Sequence, residues 1–178
     1  MRATTIARNY AEALFDLGER SGNTDGFAEL IDAVAGAVET TPEVQAVLMS
    51  PRVPKAEKIR FLAAGLKAAP REFVLFIQAL VKRGRQRILR EIATEYQALL
   101  DIKHNRVRAG VTLAQPADPA LQRDIQAALS RQLGKDVLAT FHVDPDILGG
   151  TVVRVGERIH DGSVRRRLTK LRRQLISG

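Results

Sequence analysis

The 178-residue chain contains no cysteine, so neither disulfide bonds nor thiolate metal sites are available to it. It has no tryptophan, and aromatic residues make up only 4% of the sequence. No apolar run approaches the roughly 20 residues that a transmembrane helix requires. These absences exclude a disulfide-stabilised secreted domain and an integral membrane protein. The length is that of one domain or two small ones.

The first 20 residues carry no targeting signature. Three arginines are balanced there by three acidic residues, whereas a transit peptide is poor in acids and a signal peptide needs a solid apolar block. We therefore expect a prokaryotic protein that stays on the cytoplasmic side of the membrane.

The net charge of +8 is unevenly distributed along the chain. Residues 81–110 carry eight basic and three acidic side chains, and residues 154–178 carry eight and two. The remaining segments are slightly acidic. Two basic blocks on an otherwise balanced chain indicate an acidic partner or a phosphate-rich surface.

Hydrophobic periodicity predicts a mainly α protein. Apolar residues at helical spacing predict six helices in residues 1–105, and a helix is expected from Pro119 to Leu133 in the remainder. Residues 106–178 also contain β-branched or alternating runs that predict strands. The predicted fold is an N-terminal six-helix bundle, residues 1–105, followed by a small α/β C-terminal domain, residues 106–178. The predicted strands are Val107–Leu113, Val137–Val143 and Thr151–Val155.

Helices one and five of the bundle carry more apolar surface than one core-facing stripe needs. Apolar residues cover about 200° of helix one (Thr4–Arg20) and about 260° of helix five, which starts at Pro70, where a single stripe takes roughly 100°. Two interpretations are open: neighbours within the bundle cover the surplus, or another protein does. Two such helices exceed what a small bundle needs for its core, which favours the second interpretation.

The last thirty residues form a compact motif. Glycine pairs permit tight turns, and an Asp-Gly-Ser segment supplies N-cap chemistry for a terminal helix. That helix has a narrow apolar seam and several basic residues on its other faces, a pattern typical of a helix that docks along one line. The turn and cap residues are Gly149, Gly150, Gly156, Asp161, Gly162 and Ser163; the seam is Val164, Leu168, Leu171 and Leu175; the basic residues are Arg165, Arg166, Lys170 and Arg173.

We find no pattern that predicts catalysis. Phosphate-binding and dinucleotide-binding glycine motifs are absent. His142 and the Asp-Pro-Asp segment 144–146 lack further metal ligands, so the segment predicts a turn. Ser163 beside His160 and Asp161 predicts a helix cap, because the members of a catalytic triad converge from separated parts of a fold. We expect no enzyme activity, no cofactor and no metal.

The basic blocks leave a nucleic-acid-binding module as an alternative function, because lysine and arginine neutralise phosphates. Platforms for stacking bases are missing, however, since five of the six phenylalanines lie in predicted helical seams and only Phe141 lies in a predicted strand. A solvated basic face is a further interpretation of Arg165–Arg167.

The C-terminal motif resembles that of the delta subunit of bacterial ATP synthase, whose mitochondrial relative is the oligomycin-sensitivity-conferring protein. The family usually has aspartate at the position of Glu157 and an aliphatic residue at that of His160. The resemblance extends over nearly the whole chain. It is carried by Gly149-Gly150, Gly156-Glu157, Ile159 to Val164 and Arg167-Leu168, and by segment 7–15, which is similar to the family's opening helix.

The resemblance implies a non-catalytic stator adaptor of the rotary ATP synthase, present in one copy per complex as a peripheral subunit at the cytoplasmic face of the prokaryotic cell membrane. In the family, helices one and five receive the N-terminal helix of the alpha subunit, and the C-terminal part meets the peripheral-stalk b subunits. Matched by position, the alpha-binding residues are Ile6, Tyr10, Ala13, Leu14, Phe76, Ala79 and Leu80, and the stalk-binding residues are Arg165, Arg166, Lys170 and Arg173.

Overall fold

The structure is a computed structural model that describes residues 2–169, with side chains described from residue 4 onward. The chain forms two compact units that divide between Leu100 and Asp101. The described residues are mainly helical with one small four-stranded sheet. This confirms the prediction of a mainly α protein that also contains a small β-sheet. Four residues of the predicted terminal helix, Lys170, Leu171, Arg173 and Leu175, lie outside the described residues.

Helices make up the first unit. Asn23 is the N-cap of the second helix, and Thr24 is buried in the first turn of that helix. The last helix of the unit continues past the division between the units. The helices are α1 (Arg2–Ser21), α2 (Thr24–Thr40), α3 (Pro42–Met49), α4 (Lys55–Gly65), α5 (Arg71–Lys82) and α6 (Leu89–Lys103), with a 3-10 turn at Gln86–Ile88 before α6.

The core of the first unit is built from one buried stripe on each of several helices. Phe27 of α2 and Phe73 of α5 are fully buried and meet edge to face, with ring centroids 5.7 Å apart. Tyr96 of α6 is also fully buried and donates its hydroxyl hydrogen bond to the Thr24 carbonyl at 2.9 Å. Burial raises the pKa of Tyr96, so its hydroxyl keeps the proton that this bond needs.

The second unit contains the sheet, with strand order β2-β1-β3-β4. Strands β1 and β2 are parallel, and helix α7 connects them as a crossover. Strand β3 is antiparallel to β1 and β4 is antiparallel to β3. The elements are β1 (Arg106–Leu113), α7 (Pro119–Leu133), β2 (Asp136–Val143), β3 (Thr151–Val155) and β4 (Arg158–Asp161), and a further helix, α8, begins at residue 164.

Local sequence determines where α7 begins and ends. The Asp118 side chain accepts a hydrogen bond from the Leu121 backbone at 2.7 Å, and Pro119 occupies the first turn. Gly134 takes the left-handed conformation, with φ of 64°, after the last helical residue. The helix therefore has the bounds that the sequence predicted.

Strand β4 was not predicted. Its residues are mostly exposed and include Arg158 and His160, so they carry no alternating hydrophobic signal. It forms because Gly156, with φ of 56°, turns the chain after β3 and lets Val155 pair with Arg158. The sequence identified the turn but not the strand that the turn creates.

Candidate partner-binding surfaces

Helix α1 divides its apolar residues between the core and the surface. Ala7, Ala11 and Leu14 follow helical spacing and are fully buried. Tyr10 and Ala13 precede two of these residues by one position, which turns them about 100° toward solvent. With Ile6 and Leu17, they leave α1 with a partly exposed apolar flank.

Helix α5 shows the same division. It buries Phe73, Phe76, Ile77, Leu80 and Val81. Beside that stripe, Ala79 is partly exposed and Leu75 is 52% exposed. These two residues are four positions apart, so they are neighbours on the helix surface.

A ring contact joins the two flanks. The Tyr10 ring meets the Phe76 ring edge on, with centroids 6.2 Å apart and planes at 75°. This contact places the exposed flanks of α1 and α5 next to each other. We call this surface the α1–α5 face; it comprises Ile6, Tyr10, Ala13, Leu17, Leu75 and Ala79.

The structure divides the residues that were predicted to bind the alpha subunit. Leu14 and Leu80 have no exposed surface, and Phe76 is 8% exposed, so these three side chains belong to the core. Ile6, Tyr10, Ala13 and Ala79 lie on the α1–α5 face. Sequence reasoning passed over Leu75, although its spacing from Ala79 was a usable signal.

The glycine turn before β3 packs closely against the start of α8. Gly150 has φ of 78°, and a Cβ atom there would lie 2.5 Å from the Gly162 carbonyl oxygen. The Gly149 carbonyl accepts a hydrogen bond from the Val164 backbone at 3.0 Å, and the Gly162 backbone donates to the Thr151 carbonyl at 2.9 Å. Only glycine fits at Gly150, because both its conformation and its space exclude a side chain.

The Asp-Gly-Ser segment caps α8. The Ser163 hydroxyl oxygen accepts a hydrogen bond from the Arg166 backbone at 3.2 Å, and Ser163 is buried. The Asp161 carboxylate accepts one from the Ser163 backbone at 2.9 Å. Hydrogen bonds from the side chain and backbone of Ser163 hold the pKa of Asp161 below its ordinary value. These groups position a helix end, and their arrangement offers no nucleophile.

The described part of α8 is mostly exposed. Val164 and Leu168, four positions apart, are 38% and 52% exposed and lie on one side of the helix. Arg165 and Arg166 are also exposed. The apolar seam predicted from the sequence is therefore open over its first turn, beside basic side chains.

Other candidate chemistry resolves into structural roles. The Asp144 side chain accepts a hydrogen bond from the Asp146 backbone at 3.0 Å, which is the turn that the sequence predicted. A separate feature is a partly open pocket of about 400 Å³ between helices α2, α3 and α4. It is lined by apolar residues, among them Val34, Phe61 and Leu62, so it presents no side chain suited to acid–base or nucleophilic chemistry.

Comparison with known proteins agrees with the motif at the C-terminal end. The family model described as ATP synthase delta (OSCP) subunit matches residues 6–175. The chain belongs to this family. Membership makes it a structural subunit and not the catalytic one, which confirms the prediction that the chain is not an enzyme.

Individual relatives span nearly the whole length of this delta-family chain. It is 40% identical to the ATP synthase subunit delta of Gemmatimonas aurantiaca over 176 residues, which cover 98% of the chain and 95% of that relative. It is 34% identical to the corresponding subunit of Desulforamulus reducens over 173 residues, covering 97% and 96%.

A solved structure shows the same fold. A chain in the cryo-EM structure of the Toxoplasma gondii mitochondrial ATP synthase hexamer superposes with a TM-score of 0.69 at 22% identity, covering 96% of this chain and 97% of that one. Among the residues described in the delta-family chain, no helix is both long and apolar enough to cross a membrane.

Proposed function

We propose that this chain is the stator adaptor of a rotary ATP synthase, joining the catalytic head to the peripheral stalk so that the head does not turn with the rotor. The chain would act by binding the catalytic head and the peripheral stalk, and it would catalyse no reaction. The observation that carries the proposal is the open α1–α5 face on a chain that belongs to the delta family.

On the head side, the proposed partner is the N-terminal helix of the alpha subunit. An amphipathic helix can bind by laying its apolar side on an apolar surface, and the α1–α5 face would supply such a surface along two neighbouring helices. Tyr10, Ala13, Leu75 and Ala79 would contact the partner. Phe76, Leu14 and Leu80 would support them from beneath, because their side chains are buried.

On the stalk side, the proposed partners are the b subunits, which would meet α8. The exposed pair Val164 and Leu168 supports an apolar contact along one line, and Arg165 and Arg166 support contacts with acidic residues. Lys170 and Arg173 belong to the same proposal from the sequence alone. The proposal also includes stoichiometry and location: the chain would be present in one copy per complex, as a peripheral subunit at the cytoplasmic face of the membrane. We also propose that residues 1–105 act as a six-helix bundle and residues 106–178 as an α/β domain.

Calorimetric titration of the full chain with a peptide of the alpha-subunit N-terminus tests the head-side contact. Tyr10→Asp and Ala13→Glu place a charge on the α1–α5 face at positions that α1 leaves partly or fully exposed. We expect each to weaken peptide binding by about tenfold or more, which is the effect of disrupting a central apolar contact. Phe76→Asp is unsuitable, because a buried carboxylate would destabilise the unit itself.

Ala98→Glu is the matched control. Ala98 is exposed on α6, outside the α1–α5 face, so the same change of size and charge should leave the affinity unaltered. Circular dichroism should show native helix content for all three variants. Unchanged affinity in Tyr10→Asp and Ala13→Glu would refute the head-side proposal.

A further inference from the structure

The proposed function assigns no role to the first basic block of the sequence, residues 81–110. Seven of its eight cations, all but Lys103, fall into two groups in the structure. One group is Arg90, Arg106 and Arg108. The other is a run of four exposed cations at the end of α5 and in the 3-10 turn before α6, which we call the basic turn: Lys82, Arg83, Arg85 and Arg87.

The first group is neutralised within its own units. Arg90 contacts Asp32 at 2.6 Å and Glu39 at 2.7 Å. In the second unit, Arg108 contacts Asp101 at 2.6 Å and Arg106 contacts Asp136 at 3.4 Å. These arginines have the internal ion pairs expected of structural residues.

The basic turn differs, because none of its four side chains forms an ion pair with any residue that the structure describes. One neighbouring residue adds further positive charge. The Lys55 ammonium donates to the Lys82 carbonyl at 2.7 Å, which brings a fifth cation to the same end of α5. Cations within the Debye length of about 8–10 Å of one another repel, so a bound anion would stabilise cations gathered in this way.

The backbone of the basic turn is fixed. Gly84 has φ of 68°, and its backbone donates to the Val81 carbonyl at 2.9 Å, while the Arg85 backbone donates to the Leu80 carbonyl at 3.0 Å. This pair of bonds is a Schellman motif, which closes the last turn of α5. The arginines are therefore presented from an ordered backbone, which reduces the entropy lost when a partner binds.

We propose that the basic turn binds an acidic polypeptide segment of a partner protein. Three of its cations are arginines, whose planar guanidinium groups pair with carboxylates through two hydrogen bonds at once. Residues 82–87 include no aromatic side chain to stack a nucleic-acid base and no apolar side chain to insert into lipid. The proposal concerns other residues than the α1–α5 face, so it stands or falls independently of the head-side contact.

The test compares two triple variants of the full chain. Arg83→Gln, Arg85→Gln and Arg87→Gln together remove the arginines of the basic turn. The control removes three exposed arginines elsewhere in the first unit, so that net charge falls equally; its substitutions are Arg20→Gln, Arg60→Gln and Arg71→Gln. The probe is a short fluorescent peptide of alternating glutamate and alanine, followed by anisotropy at low and physiological ionic strength.

We expect the basic-turn variant to bind the peptide about tenfold or more weakly than the parent, with a shallower salt dependence, and the control to change by less than about twofold. Equal losses in the two variants would overturn the proposal, because net charge alone would then explain binding. Tighter binding of the parent to a single-stranded oligonucleotide or to anionic vesicles than to the peptide would overturn it as well.

A second measurement locates the partner segment. Because the chain has no cysteine, Lys82→Cys creates a single thiol for a photocrosslinker in the assembled complex. Mass spectrometry should identify crosslinked peptides rich in aspartate and glutamate. Crosslinks confined to segments without acidic residues would contradict the proposal.

Discussion

The two units of this chain stabilise their helices in different ways. In the first unit, the N-caps of α2, α3, α4 and α5 make no side-chain capping hydrogen bond, but every one of these helices contributes buried residues to the core. In the second unit, α7 has no fully buried residue and begins with an aspartate cap, and α8 begins with a serine cap. In the first unit, the helices are therefore stabilised mainly by burial of apolar side chains. In the second unit, N-caps and tight turns stabilise the helices in addition to a small core.

The difference suits the proposed division of labour. The buried core of the first unit, which includes Phe27, Phe73 and Tyr96, holds α1 and α5 in place, and a docking surface for a partner helix requires such fixed positions. The second unit keeps apolar residues such as Leu121 and Leu168 exposed. A thin core of this kind leaves apolar surface available for partners.

The largest expected effect compares two phenylalanines. Phe73→Ala, in the core of the first unit, should lower the free energy of unfolding by about 3–5 kcal/mol. Phe141→Ala, on partly buried β2, should lower it by about 1–2 kcal/mol, because less area leaves water there. Tyrosine fluorescence during urea unfolding reports on the first unit, which contains both Tyr10 and Tyr96, and hydrogen exchange reports on the second. Equal losses would remove the contrast between the units.

A comparison of Gly150 with Gly156 tests how closely the glycine turn packs in the second unit. Gly150→Ala should cost about 3 kcal/mol locally, because a left-handed conformation costs other residues roughly 1–3 kcal/mol and the new Cβ atom would also collide with the Gly162 carbonyl. Gly156→Ala would also place alanine in a left-handed conformation, but the new Cβ atom would meet open space. We therefore expect the substitution to lower stability by about 1 kcal/mol. Hydrogen exchange of residues 149–164 is the measurement. A milder effect at Gly150 than at Gly156 would contradict the close approach of the Gly162 carbonyl to Gly150.

Removal of N-caps tests the contrast between the units directly. Asp118→Ala and Ser163→Ala should each cost about 1 kcal/mol, because each leaves a helix N–H without its acceptor. Asn23→Ala in the first unit should cost only a few tenths of that, since Asn23 makes no side-chain capping bond. Local exchange rates at the start of each helix give the comparison. A loss at Asn23 as large as that at Asp118 would show that the first unit depends on its caps too.

The smallest effect is dependent on pH. Arg90 holds the pKa of Glu39 below its ordinary value of 4.5, mainly through a side-chain hydrogen bond, so the pair contributes stability above that pH and loses it as the pH falls through the lowered pKa. Arg90→Gln should therefore lower the urea midpoint slightly at neutral pH, and the difference from the parent should shrink below pH 4.5. These groups are substantially exposed, which keeps the effect small. A difference that grows in acid would contradict the assignment.

Local signals predicted some elements well. Asp118, Pro119 and Gly134 fixed both ends of α7, because capping and turn chemistry depend on neighbours in sequence. The exposed strand β4 had no such signal. Nor did periodicity distinguish Leu14 from Tyr10, which are neighbours on α1; only packing against the other helices buries the first and leaves the second partly exposed.

The sequence alone determined the order of the α-helices and of strands β1 to β3, the glycine turns and caps of the C-terminal motif, and the family to which that motif belongs. These depend on backbone conformation and on hydrogen bonds between close neighbours along the chain. Only the tertiary structure decided which apolar residues of α1 and α5 remain exposed, and which arginines of the first basic block have ion-pair partners. Those outcomes depend on contacts between residues as distant in sequence as Glu39 and Arg90. The spacing of residues along the chain does not predict such contacts.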